Sequence, residues 1–168
     1  LTESVKLSKG AKVFLHPVKN PSAYGVATIK NNNKILKIIE KPKNPKSNLA
    51  VTGLYFFDNK VINFSKKLKP SKRKEIEITD LLNKYLKKRQ LKAEFIGRGG
   101  SWLDAGSIGD FYKASNYVNA VENRQGLKIA CIEEIAFNKK WISKKEIINS
   151  IKFYGKCDYS KYLKDLIK

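Results

Sequence analysis

The apolar residues of this chain fall into short runs of β type and longer stretches with helical spacing. Ala11 to Leu15 reads as a buried strand. Gly25 to Lys30 and Ile35 to Ile39 read as two more, joined by Asn31-Asn32-Asn33, whose composition favours a turn. Together they predict a β-hairpin that ends in Glu40-Lys41-Pro42, with its second strand mostly buried. Ala50 to Phe57, built around Gly53, and Leu91 to Ile96 complete the strands. Residues 1–10 read as the end of a helix closed by Gly10, a favoured residue just past a C-terminus. Asn59 to Leu68 places Val61, Ile62, Phe64 and Leu68 at amphipathic spacing. In Ile78 to Arg89, opened near Thr79, Leu81, Leu82, Tyr85 and Leu86 share a face. Ser107 to Arg124 predicts a long helix with Phe111, Tyr112, Ala114 and Val118 inward. Ser143 to Ile151 opens on a capping-box pattern, Ser143 followed by Glu146, and Tyr159 to Ile167 is a last short helix. Intermixed strands and helices place the chain in the α/β class.

Composition narrows the function classes. The 168 residues suffice for one domain with a core, and 42% apolar content excludes a disordered chain. No apolar run is long enough to span a bilayer and no signal-peptide pattern opens the chain, so a cytoplasmic protein is expected, with no membrane partner. Cys131 and Cys157 are too few for a disulfide framework or a zinc site and read as reduced thiols. His16 is the only histidine, which argues against His-based catalysis. The net charge of +20 invites a nucleic-acid reading, yet only Arg73, Arg89, Arg98 and Arg124 are arginines. Nucleic-acid readers lean on arginine for bidentate contacts, so a lysine-coated surface is the better reading, with no specific nucleic-acid partner. A positive field still suits an anionic substrate. The chain opens on Leu1 and contains no methionine, from which a fragment is expected.

Neither common phosphate motif, G-x-G-x-x-G or G-x-x-x-x-G-K-[ST], is present. Gly97-Arg98-Gly99-Gly100 alone reads as a tight turn. Glu40-Lys41 at the end of an apolar run must be paired, solvated or facing a ligand. A carboxylate there could accept from sugar hydroxyls and a lysine could neutralise phosphate, and a surface ion pair fits the pattern equally. Gly53 marks either a bulge or a close ligand approach. Asp104, after Trp102-Leu103, suits a Mg²⁺ ligand in type, while a turn carboxylate is the simpler reading of the pattern alone.

Several segments then occur in a telling order: Tyr24-Gly25-Val26, Glu40-Lys41-Pro42, Val51-Thr52-Gly53-Leu54-Tyr55-Phe56, Glu75-Ile76-Glu77-Ile78-Thr79-Asp80, Gly97-Arg98-Gly99, Trp102-Leu103-Asp104-Ala105-Gly106, Arg124-Gln125-Gly126-Leu127-Lys128 and Glu133-Glu134-Ile135-Ala136-Phe137. This ordered set resembles the glucose-1-phosphate thymidylyltransferase family, which makes dTDP-glucose for deoxysugar and rhamnose synthesis. The resemblance implies the C-terminal portion of a Rossmann-like nucleotidyltransferase fold, with a mixed sheet and C-terminal helices. It implies a sugar-phosphate-binding part over residues 1–106 and a helical region over 107–168. It implies that Tyr24, Gly25, Glu40, Val51, Gly53, Tyr55 and Trp102 line the sugar pocket, with Glu40 bonding hydroxyls. Lys41 and Arg73 would hold phosphates, and Asp104 would be one of two aspartates on Mg²⁺. Arg98, Glu134 and Ile135 would match part of a regulatory nucleotide site, where Asn138 stands in place of a common family arginine.

The implied partners are glucose 1-phosphate and dTTP, with a homo-oligomer in the full-length form. The family's glycine-rich G-x-G-T-R-L loop and second metal aspartate are absent from this sequence. The isolated chain is therefore expected to lack activity and to expose apolar surface. A UTP- or CTP-dependent relative is a close variant, against which Glu40-Lys41-Pro42 and Val51 to Tyr55 favour the dTTP type. The rival readings are a basic nucleic-acid-binding module and a non-catalytic regulatory paralogue.

Overall fold

A computed structural model of the chain describes residues 2–30, 33–97 and 99–168. Asn31 and Asn32 of the expected turn lie outside these residues, as does Arg98. The chain divides into two compact units, Leu1–Trp102 and Leu103–Lys168.

The first unit is built on five strands: β1 (Ala11–Pro17), β2 (Gly25–Lys30), β3 (Lys34–Glu40), β4 (Leu49–Phe57) and β5 (Leu91–Phe95). Their order across the sheet is β3-β2-β4-β1-β5. β1 runs parallel to β5, and the other pairings are antiparallel, so the sheet is mixed, as expected. Helices α1 (Thr2–Val5), α2 (Val61–Ser65) and α3 (Ile78–Lys87) and a short 3₁₀ turn (Pro21–Ala23) complete the unit.

Helix α3 fills the sheet's apolar face. Leu82 enters a cluster with Val13, Leu15, Ala27, Ile35, Ile38 and Val51. One turn around, Leu81 and Tyr85 pack with Ala11, and Val61, Phe64 and Leu68 close over them. That burial is what an i, i+3, i+4 apolar stripe supplies. The Asn83 amide donates to the Ile38 carbonyl (3.0 Å) and fixes α3 against β3. At the far end Asp58 takes the Tyr85 hydroxyl at 2.7 Å and the Gly10 amide at 2.8 Å.

Several expectations from pattern are corrected. Gly10 does not close a helix, because α1 stops at Val5. Its φ of +90° and its contact with Gln90, whose carbonyl oxygen would lie 2.5 Å from an added Cβ, make it the entry to β1. Only one face of β3 is covered by α3: Ile35 and Ile38 pack there with Leu82 and are buried, while Leu36 and Ile39 are exposed. A register shift opposite Thr28 and Ile29 skips Leu36, which puts Ile35 and Ile38 on one face despite their odd spacing. α2 is only five residues long, and Ile62 stays exposed. α3 does open near Thr79, with Glu77 at the N-cap position and Thr79 buried.

The second unit contains α4 (Ile108–Gln125), α5 (Ile132–Asn138), α6 (Lys144–Tyr154) and α7 (Asp158–Leu166). Cys131, Ile147 and Leu163 form its core, flanked by Phe137, Ile142, Ile151 and Tyr159. The Ser143–Glu146 capping box is present. Helix α5 has no counterpart among the elements predicted from pattern. Buried Glu133 explains its place: Tyr159 and Tyr154 (2.5 and 2.8 Å) both donate to its carboxylate. Burial pushes this carboxyl up, and the two phenols outweigh burial and hold it below its ordinary value. The inward face expected for α4 is found only in part, since Ala114 and Val118 are half-buried. Phe111 and Tyr112 are exposed and no residue of α4 is buried, because the core of this unit is built by the three later helices. No described helix is long and apolar enough to cross a membrane.

Candidate functional site

The polar end of the hairpin is where unusual chemistry gathers. Glu40, the last residue of β3, lies opposite Gly25, the first of β2. A Cβ at Gly25 would stand 3.1 Å from Glu40 Oε2 and 2.8 Å from Thr79 Cγ2. Glycine therefore leaves the space that the carboxylate and the buried threonine occupy. Val51 borders the same point, 3.7 Å from that Cβ position.

A cleft of about 440 Å³ opens beside this carboxylate, with Glu40, Ser71, Lys72, Arg73, Glu77 and Thr79 among its walls. The loop before α3 folds on itself to present Arg73. The Ser71 amide donates to the Glu75 carbonyl at 2.8 Å, and the Lys74 amide to the Ser71 carbonyl at 2.9 Å. Arg73 then meets three carboxylates: Glu75 at 2.9 Å, Glu77 at 3.2 Å and Glu40 at 3.8 Å.

Burial raises the Glu40 carboxyl above its ordinary value, and the charge of Glu77 adds to this. A hydrogen bond from Thr79 and the charges of Lys41 and Arg73 pull the other way and do not cancel the rise. Tyr55 is raised by burial and then by the Glu40 charge, which places its phenol in the field of the same carboxylate. Such a carboxylate, partly desolvated and held by a neutral hydroxyl, is a good acceptor for ligand hydroxyls.

The other expected residues sort into groups. Tyr24 and Trp102 meet edge to face at 5.1 Å, and the Trp102 indole N–H donates to the Thr52 carbonyl at 2.9 Å. Lys41 is exposed, with its backbone turned to φ +39° and its amide bonded to the Tyr24 carbonyl at 3.0 Å. Gly53 has φ +81° at a register shift between β4 and β1, and an added Cβ would touch nothing, so it is a bulge glycine. Gly25, Glu40, Val51 and Arg73 are thus gathered, and Tyr24 joins Trp102.

Asp104, Glu134 and Ile135 belong to the second unit. Glu134 accepts from the Tyr162 hydroxyl at 2.6 Å, and Ile135 is exposed. Arg98 lies outside the described residues. Asp104 Oδ1 accepts from the amides of Ala105 (2.9 Å) and Gly106 (3.3 Å). Among the described residues no group of three or more His, Cys, Asp or Glu could hold a metal ion. One carboxylate of this kind fits Mg²⁺ as a single ligand in a set completed by phosphate oxygens.

Reasoning from pattern missed three cleft residues: Ser71, Glu77 and Thr79. The Glu-Ile-Glu-Ile-Thr-Asp segment held the signal, since two acids and a threonine precede an apolar helix face. Only folding shows that Glu77 and Thr79 turn back to Arg73 and Glu40.

The sequence profile of the nucleotidyl transferase family matches residues 2–121. The chain belongs to the nucleotidyl transferase family. A glucose-1-phosphate thymidylyltransferase of Neisseria meningitidis is 42% identical over 168 residues, which is 100% of this chain and 58% of that protein. One from Xanthomonas campestris is 44% identical over 160 residues, covering 95% of this chain and 54% of that protein. The chain thus spans little more than half the length of these relatives. A Bacillus anthracis crystal structure assigned as a glucose-1-phosphate thymidylyltransferase, in complex with sucrose, superposes with a TM-score of 0.61. It is 46% identical and covers 69% of this chain and 46% of that one. A UDP-glucose pyrophosphorylase complexed with UDP-glucose gives a TM-score of 0.57 at 30% identity, over 64% of this chain and 43% of that one. The mixed sheet with its helices is therefore the nucleotidyltransferase architecture, as the resemblance implied.

Proposed function

We propose that this chain carries the sugar-phosphate side of glucose-1-phosphate thymidylyltransferase. The reaction joins glucose 1-phosphate and dTTP to give dTDP-glucose and pyrophosphate. The observation that carries this reading is the Glu40 carboxylate. It is seated over Gly25, held by Thr79 and flanked by Arg73 in a cleft sized for a small ligand, within a chain that aligns along its whole length with enzymes of that name.

In this reading Glu40 accepts from glucose hydroxyls. Gly25, Val51, Gly53 and Tyr55 shape the pocket, and Tyr24 and Trp102 close its side. The phosphate of the sugar attacks the α-phosphorus of dTTP in line. A new P–O bond forms as the bond to pyrophosphate breaks, with no covalent enzyme intermediate. The protein's task is to bring two anions together and absorb their charge. Lys41 and Arg73 do this from the present chain. Arg73 has donors to spare, since a guanidinium carries five N–H groups and only some face its carboxylates. Asp104 would hold Mg²⁺, which supplies charge neutralisation at the phosphates when bound. Glu134 and Ile135 would match part of a regulatory nucleotide site, against which Asn138 counts in place of the family arginine, and the working enzyme is a cytoplasmic homo-oligomer.

The test is pyrophosphate release by the protein expressed from its natural reading frame. Release from dTTP that requires glucose 1-phosphate, and exceeds release from UTP or CTP, is expected. Absence of sugar-phosphate-dependent release with every nucleotide would sink the reading. The 168-residue chain alone is expected to bind glucose 1-phosphate without turning it over, since its sequence has no glycine-rich nucleotide loop.

A further inference from the structure

Glu77 occupies the N-cap position of α3 yet makes no side-chain cap bond. Glutamate is not a favoured N-cap, and a residue there normally serves the helix amides. This one turns away instead. Its carboxylate is buried, and Oε1 accepts from the Ser71 hydroxyl at 2.9 Å and from Arg73 at 3.2 Å. The same Ser71 oxygen accepts from the Arg73 amide at 3.1 Å. Main chain and side chain of Arg73 are thus tied to one Ser71–Glu77 unit.

The three acids around Arg73 are not equivalent. Glu75 is exposed, and its pair with Arg73 faces solvent, where an ion pair contributes little. Glu40 stands at 3.8 Å, beyond hydrogen-bond reach. Glu77 is buried, and a buried carboxylate cannot lose its cation cheaply. Glu77 is therefore the anchor, and the other two are neighbours.

We propose that Glu77 is the positioning residue of the cleft, fixing the Arg73 guanidinium beside Glu40 so that phosphate and sugar hydroxyls are met in one geometry. This rests on the sugar-phosphate reading above. Glu77 touches no substrate; it acts through Arg73. Its charge also reaches Glu40, so the two ends of the cleft are linked through one buried acid.

The test uses the isotopically labelled protein expressed from its natural reading frame. Calorimetry gives the affinity for glucose 1-phosphate, and NMR follows the Glu40 carboxyl titration and the rotation of the Arg73 guanidinium without ligand. Glu77→Gln is expected to weaken glucose 1-phosphate binding roughly tenfold, the scale of one charge-assisted contact. It should also free Arg73 rotation and lower the Glu40 midpoint. Glu77→Asp should recover part of all three, and Glu75→Gln should stay within about twofold of wild type. In an Arg73→Gln background Glu77→Gln should add little, because its effect runs through Arg73. Should Glu77→Gln fail to fold, Ser71→Ala, which strips the second donor from the same oxygen, must show a smaller loss in the same direction. Unchanged affinity and unchanged Arg73 rotation in Glu77→Gln would overturn the proposal, as would full additivity with Arg73→Gln. If the wild-type chain holds Arg73 rigid yet ignores glucose 1-phosphate, the functional reading falls while Glu77's hold on Arg73 stands. If it binds the ligand and Glu77→Gln binds equally well, the reverse is true.

Discussion

Gly25 faces Glu40 across the β2–β3 ladder so closely that a Cβ on Gly25 would fall 3.1 Å from the Glu40 carboxylate. Gly25→Ala must therefore move Glu40, Thr79 or both. Thr79 is buried and cannot yield freely. The expected result is a loss of glucose 1-phosphate affinity of at least about tenfold, with destabilisation of about 1–2 kcal/mol from overpacking. Calorimetric titration and chemical denaturation check the two parts separately.

Glu40→Gln should separate binding from stability. The folded carboxyl titrates above its ordinary value, chiefly through burial and then through the Glu77 charge. A raised carboxyl means that the folded state holds its proton more tightly than the unfolded chain does. Stability from this group is thus present below the ordinary glutamate range and is lost as pH rises through the raised value. At neutral pH the ionised Glu40 opposes folding, so Glu40→Gln is expected to raise the melting temperature while abolishing sugar binding. In the wild type, affinity should fall on the acid side at a pH above the ordinary glutamate range. A lower melting temperature in Glu40→Gln at pH 7 would contradict this account.

Asp58 carries a different weight. It receives the Gly10 amide, the Tyr85 hydroxyl and the Lys60 amide. Burial pushes its carboxyl up, but these donors prevail and hold it below the ordinary value. Its contribution is therefore present above the ordinary aspartate range and is lost as pH falls through the lowered value. Asp58→Asn is expected to cost about 2–3 kcal/mol at pH 7. The gap from wild type should narrow in strong acid. Urea melts at several pH values decide it.

Trp102 offers a spectroscopic handle. Its indole N–H is bonded to Thr52 and its ring meets Tyr24, while the other tryptophan, Trp141, is exposed. In a Trp141→Phe background, saturating glucose 1-phosphate should change Trp102 emission. Trp102→Phe should lose that signal and weaken binding by a few-fold, the scale of one neutral hydrogen bond. Emission that ignores the ligand would remove Trp102 from the pocket.

Much of the scaffold was legible because its signals are local. The hairpin from Gly25 to Glu40, the strand around Gly53 and the stripe Leu81, Leu82, Tyr85 each follow from spacing over a few residues. The ordered motifs named the family, since shared order over a whole chain is a property of sequence. The failures have one cause. Leu36 and Ile39 read as buried, but burial depends on which face of the strand α3 comes to cover. Phe111 and Tyr112 read as inward, but an apolar stripe does not say what covers it.

The sequence by itself determined the class, the family and the candidate residues, because periodicity and motif order are written along the chain. Only the tertiary structure decided what those residues do to one another. Arg73, Glu77 and Thr79 sit far along the chain from Gly25 and Glu40, and no local pattern couples them. Folding puts α3 and its preceding loop against the end of the hairpin. Burial, Coulomb interaction and hydrogen bonding then act over a few ångströms, and these set the charge and the shape of the cleft.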